Sequence, residues 1–181
     1  MKNTLVIIVS FLMSIGFTKA QLYSSQTVEL SFFSKTPVED IQAKSLKGLC
    51  VMNITTRELA FSVGNITFDF PNKLMEEHFN EKYMETEKFP NSTFKGKVNE
   101  QVDLSQNGEY KVTVTGKLNI HGVEQERTIP GIITVKDGVI SVQCVFKVKV
   151  ADHKITIPTL VVAKIAEEIE VKVNASLLPK K

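Results

Sequence analysis

Any chemistry in this 181-residue chain has to be built from three histidines, two cysteines and its carboxylates. His78, His121 and His153 stand far apart, without the i, i+4 partner or the Cys/His clustering that metal sites display. Metal ligation is not expected of them. Glu76-Glu77 and Glu167-Glu168 are adjacent pairs, and neighbours on a helix point in different directions, so they read as solvated faces. No Gly-x-Ser-x-Gly elbow, phosphate-binding glycine loop or Cys-x-x-Cys motif occurs. With no nucleophile beside a base and no cofactor motif, the expectation is a binding protein without a cofactor and not an enzyme.

Cys144 alternates with Val142, Phe146 and Val148 on one strand face, the pattern of a small buried hydrophobe. A bridge to Cys50 needs Cα atoms within about 7 Å. Two cysteines make no disulfide framework, so two free buried thiols are the favoured reading, with the bridge left open. His121, beside Gly122, reads as a turn residue, and His78 as a packed or hydrogen-bonded one.

What the chain has in quantity is apolar area on alternating strands. From Glu109 to Ile120 the residues Tyr110, Val112, Val114, Gly116, Leu118 and Ile120 share one face, and polar or charged residues fill the other. A side-chain period of two is that of a strand with one dry face. Asn107-Gly108 in front of it reads as a type I′ turn back to a strand at Phe94–Leu104, and His121-Gly122 as the next turn. Glu124–Lys136, Asp137-Gly138 and Val139–Val150 continue a meander. Upstream, Thr27–Ser34, Val38–Lys44, Lys47–Ile54 and Leu59–Val63 also read as strands, with Ile66–Phe70 extended. Downstream, Glu168–Ala175 alternates and is placed to close the sheet against the first strand. The spacing changes at Lys73–Met84, where Asn72 can cap an amphipathic helix long enough to cover an open end. Thr159–Ala166 reads as a second short helix.

The fold class is therefore mainly β. A one-sided sheet must either pack on another sheet or curl into a barrel. At about eight strands a barrel is just wide enough to be filled by side chains or to hold one small ligand.

Ahead of this domain, Lys2, the apolar run Leu5–Phe17 and Thr18-Lys19-Ala20 form a secretory signal peptide, giving a single domain over 21–181. Without Lys2 and Lys19 the chain has 20 basic and 20 acidic side chains, which makes nucleic acid a poor partner. No further apolar run approaches a transmembrane span, and nothing in the pattern speaks to oligomeric state.

Two segments resemble the YceI-like family. Glu77–Val98 (EHFNEKYMETEKFPNSTFKGKV) is similar to that family's helix histidine followed by an aromatic run, a Lys-Phe-Pro step and a strand opening Thr-Phe. Gly116–Pro130 (GKLNIHGVEQERTIP) is similar to its Gly-x-Leu-x-Ile-x-Gly-Val segment ending in proline. The resemblance spans most of 21–181. Met75-Glu76-Glu77 stands where the family usually has an Arg-Asp pair, and the first strand has no tryptophan, so headgroup chemistry does not carry over. It implies an extended antiparallel, lipocalin-like β-barrel in a periplasmic or secreted protein, with an isoprenoid or similar lipid in the lumen. On that reading a tail would lie against Phe61, Val63, Val112, Val114, Leu118, Val142, Phe146 and Val148, with His78 and Tyr83 at the polar end. The alternative is a filled barrel that docks on an envelope protein, including a cytochrome-type membrane partner.

Overall fold

The computed structural model describes residues 21–180, so the expected signal peptide at 1–20 lies outside the described residues. In chain order the elements are β1 (Leu22–Lys35), β2 (Asp40–Ser45), β3 (Leu49–Asn53), β4 (Glu58–Gly64), α1 (Lys73–His78), β5 (Asn91–Val98), β6 (Gly108–Ile120), β7 (Val123–Lys136), β8 (Val139–Lys149) and β9 (Glu168–Pro179). All strand pairings are antiparallel, in the order β1-β3-β4-β5-β6-β7-β8-β9, and β9 returns to β1 from Phe33↔Glu170 to Tyr23↔Pro179. The sheet is a closed barrel of eight strands. Closure leaves none of them with a free edge along its full length. The extra strand, β2, shares one edge of β1 with β3: β3 takes Leu22–Ser24 and β2 takes Leu30–Lys35.

The turns follow from residue type. His121 and Gly122 have φ of 53° and 71°, Asp137 and Gly138 of 52° and 79°, and each pair closes a two-residue hairpin of the kind that needs positive φ at both positions. Asn107-Gly108 does not behave this way. Neither residue has a positive φ; Gly108 simply opens β6, and residues 99–107 form a long loop back to β5, which ends at Val98 and not at Leu104. The dipeptide was a sound turn signal overridden by tertiary packing, because Leu104 in that loop is 1% exposed inside the barrel.

One ladder is incomplete. β7 and β8 pair only from Gly131↔Cys144 to Lys136↔Val139. The next residue, Pro130, has no N–H to donate. Beyond it the wall is held by side chains: Arg127 Nη2 donates to the Lys147 carbonyl at 2.6 Å, and Gln125 Nε2 to that of Asp152 at 2.9 Å.

Three expectations change in detail. Ile66–Phe70 is not uniformly extended, since Asn65–Thr67 forms a 3-10 turn tied by Thr67 Oγ1 donating to the Gly64 carbonyl at 2.7 Å. The helix at Lys73 begins where expected, with Asn72 Oδ1 accepting from the amides of Leu74 and Met75, but only Lys73–His78 is α-helical and Phe79–Tyr83 widens into a π-helical turn. The second short helix is a 3-10 segment, Thr159–Lys164. Among the described residues no helix is long and apolar enough to cross a membrane.

Candidate functional site: an apolar lumen open at one end

The barrel has two unlike ends. At the end of the 137–138 turn, inward side chains pack on one another: Val135, Ile140 and Leu177 are cross-strand partners at 4%, 0% and 0% exposure, with Met52 and Leu104 against them. At the end where α1 sits, the inward faces surround an apolar cavity of about 490 Å³.

The sequence-derived residues fall on this cavity from three strands. β4 supplies Phe61 and Val63, β6 supplies Val112, Val114 and Leu118, and β8 supplies Val142, Phe146 and Val148. The pairings Phe61↔Phe94 and Phe94↔Leu118 set two of these side chains in one row across the wall, with Phe94 of β5, which the sequence reading did not include, between them. Gly96 and Gly116 face each other just below, where a Cβ on Gly116 would collide with the backbone of β5, so the strands approach closely there. His78 and Tyr83 also border the cavity, at the mouth and half-buried. Burial raises the pKa of Tyr83 above its ordinary 10.0, leaving its hydroxyl protonated and available as a donor at neutral pH.

A collar of four phenylalanines was not singled out from the sequence. Phe79 on the π-helical turn stacks on Phe32 of β1 at 5.5 Å between ring centres, and meets Phe68 at 5.7 Å and Phe70 at 5.1 Å. Phe32 in turn packs on Phe68 at 5.3 Å and Phe70 at 5.7 Å. All four border the lumen. Strand alternation through Leu30, Phe32 and Ser34 would have found the first; the others depend on a turn that local pattern does not announce.

The two thiols both face the lumen and are free. Burial, helped by the nearby Cys144, pushes Cys50 up to about 12, and burial pushes Cys144 up to about 11. Both stay as thiols, which removes them as nucleophiles at neutral pH and leaves them as apolar lining. His121 does more than turn the chain: its ring lies at 2.8 Å from a Glu85 carboxylate oxygen and 3.2 Å from the His153 carbonyl, under the edge of Phe89. His153 is fully buried and its Nδ1 donates to the Val123 carbonyl at 3.1 Å; burial holds its pKa below the ordinary 6.5. These groups brace the rim and are not among the lumen-lining side chains. Among the described residues no group of three or more His, Cys, Asp or Glu side chains could hold a metal ion.

Solved structures share this architecture. A polyisoprenoid binding domain from Saccharophagus degradans, implicated in plant cell wall breakdown, superposes with a TM-score of 0.75 over 87% of this chain and 98% of its own at 17% identity. BcnA from Burkholderia cenocepacia gives 0.70 over 82% and 95% at 16% identity. The YCEI protein of Campylobacter jejuni gives 0.57 over 100% and 99% at 16% identity. At such identities the likeness is one of fold. No curated protein sequence matches. The YceI-like domain model matches residues 13–177, nearly the whole of the chain, and the protein is therefore a member of the YceI-like domain family.

Proposed function

We propose that this protein is an exported carrier or scavenger that holds one amphiphilic isoprenoid or fatty-acyl lipid, tail in the lumen and head at the α1 mouth beside His78 and Tyr83. The observation that carries the reading is the state of the inward faces above the floor. Phe61, Val142, Cys144 and Phe146 point into the barrel yet are only half-buried, because they border open space instead of one another. An apolar cavity of this size, with its few polar groups at one end, is what a lipid tail fits. Each methylene moved from water into it contributes about 0.8 kcal/mol, before ordering costs are subtracted. The similar Saccharophagus degradans domain is a polyisoprenoid binding domain, which supports the same class of ligand. Export to a periplasm or secretion is supported by the charged start and apolar run of residues 2–17 and the Thr18-Lys19-Ala20 step.

Native mass spectrometry of gently extracted protein tests the reading. The expected result is a lipid-mass adduct, or stoichiometric uptake of an added prenyl alcohol or fatty acid. A protein that is recovered empty and takes up neither overturns it. Docking on an envelope protein is a second reading, favoured by the exposed Leu46, Leu49 and Ile66. Site-directed cross-linking from position 49 in intact cells should then trap a membrane protein; no cross-link removes that reading.

A further inference from the structure

We infer that the packed floor of the barrel is a chain-length ruler, which seats tails of up to about sixteen carbons and stops longer ones at Met52, Ile140 and Leu177. The inference rests on the carrier reading and adds what that reading leaves open, the size class of the ligand.

On β7, β8 and β9 the boundary between hollow and filled is sharp, whereas on β4 Leu59, the partner of Met52, still borders the cavity. On β7, β8 and β9 the cross-strand row Ile133–Val142–Ala175 borders the cavity, and the next inward row, Val135–Ile140–Leu177, does not. The same step occurs on β3, where Cys50 borders the cavity and Met52, two residues on, is 0% exposed. A change at one row across three adjacent strands is an end wall. Leu104 backs that wall from the 99–107 loop, which the Tyr110 hydroxyl pins by sharing its one proton between the carbonyls of Asp103 and Gln106, both at 3.0 Å.

The depth of the lumen sets the length. Along β6 the lumen runs from Ile120 at the mouth to Val112. Eight residues at ~3.4 Å, on a strand tilted by ~40°, give a depth of roughly 20 Å. A chain of tetrahedral atoms that advances ~1.2 Å per bond, as an extended backbone does, fills that depth with about sixteen bonds. A chain that runs straight from the mouth meets the end wall at about that length.

The test titrates the full domain, residues 21–181, with straight-chain fatty acids from decanoic to tetracosanoic acid and with prenyl alcohols from geraniol to solanesol. In the unaltered protein, affinity should rise about fourfold per methylene, the ~0.8 kcal/mol of each, and then level off near sixteen carbons. Met52→Ala removes three heavy atoms from the end wall and should move the break point up by about three carbons. Ala175→Leu fills the lowest open row and should move it down by a similar amount, so the inference stays testable if the first variant folds poorly. A break point at one common length in all folded variants overturns the ruler while leaving the carrier intact. Continued gain in affinity well beyond twenty carbons also overturns it. Failure of every probe to bind any variant overturns the carrier reading, and the ruler with it.

Discussion

Ile140 and Val142 lie two residues apart on β8, face the same way and are paired on both sides by β-branched or aliphatic neighbours, yet they belong to different materials. Ile140 is packed on all sides between Val135 and Leu177, whereas Val142, between Ile133 and Ala175, borders the cavity. Alternation decides which face of a strand turns inward. Whether the inside is then solid depends on what comes to meet it from elsewhere. At the floor a loop delivers Leu104 into the barrel. At the mouth α1 and the π-helical turn bring Phe79, which binds to three other rings at the wall instead of descending into the lumen.

The largest effect expected from this difference is on stability. Ile140→Ala leaves a new void in a close-packed region and should cost about 2–5 kcal/mol. Val142→Ala enlarges a cavity that already exists; it loses mainly transfer free energy and should cost about 1 kcal/mol. Urea unfolding of both variants, compared at equal m, gives the answer. Equal costs at the two positions would mean that the lumen beside Val142 collapses to solid packing in solution.

A smaller, local effect is expected at the collar. Phe79→Ala removes three ring contacts, each worth about 0.5–1.5 kcal/mol, so it should destabilise the attachment of α1 by about 2 kcal/mol. Amide exchange should accelerate across Lys73–Met84 and stay slow in the floor strands. Uniform acceleration throughout the barrel would show that mouth and floor open as one unit.

How much of this was legible in the sequence follows from the range of each signal. β6, the His121-Gly122 and Asp137-Gly138 turns, the Asn72 cap and the closing role of Glu168–Ala175 are local patterns, and the structure contains them all. The Asn107-Gly108 turn failed because a buried Leu104 in the preceding loop outweighs the preference of a dipeptide. The lumen-facing set on β4, β6 and β8 was readable from alternation. Phe68 and Phe70 were not, because they reach the lumen only after the 3-10 turn at Asn65–Thr67 redirects the chain. The floor was illegible for a deeper reason: Met52, Ile140 and Leu177 do not differ in type or pattern from the residues above them.

A third prediction concerns pH and separates the rim from the lumen. His153 has a folded pKa lowered by burial from 6.5, so below 6.5 the unfolded chain binds more protons than the folded one. Its contribution to stability is complete above that value and is lost as pH falls from 6.5 toward the lowered folded pKa. The slope cannot exceed about 1.4 kcal/mol per pH unit for one proton. The difference in unfolding free energy between the unaltered protein and His153→Gln should therefore vary with pH in that window and be flat above it. A difference that is flat throughout would place water at the ring and count against a dry rim.

The smallest effect tests whether α1 is held as a helix or as a wall. Asn72 Oδ1 accepts from the amides of Leu74 at 2.9 Å and Met75 at 3.4 Å, so Asn72→Ala leaves two N-terminal donors without their side-chain partner. Such a change costs about 1 kcal/mol of helix stability. α1 contains no buried residue, and its Leu74 is 57% exposed, so tertiary contacts return little of that loss. The floor makes no contact with this cap, and its exchange rates should not change. Ligand exchange through the mouth, measured by stopped-flow displacement of a bound fatty acid, should speed up by a few-fold while the preferred chain length stays the same. That outcome would assign the rate of entry to the mouth and the choice of ligand to the floor; a shift in preferred length would instead make the cap part of the selecting surface.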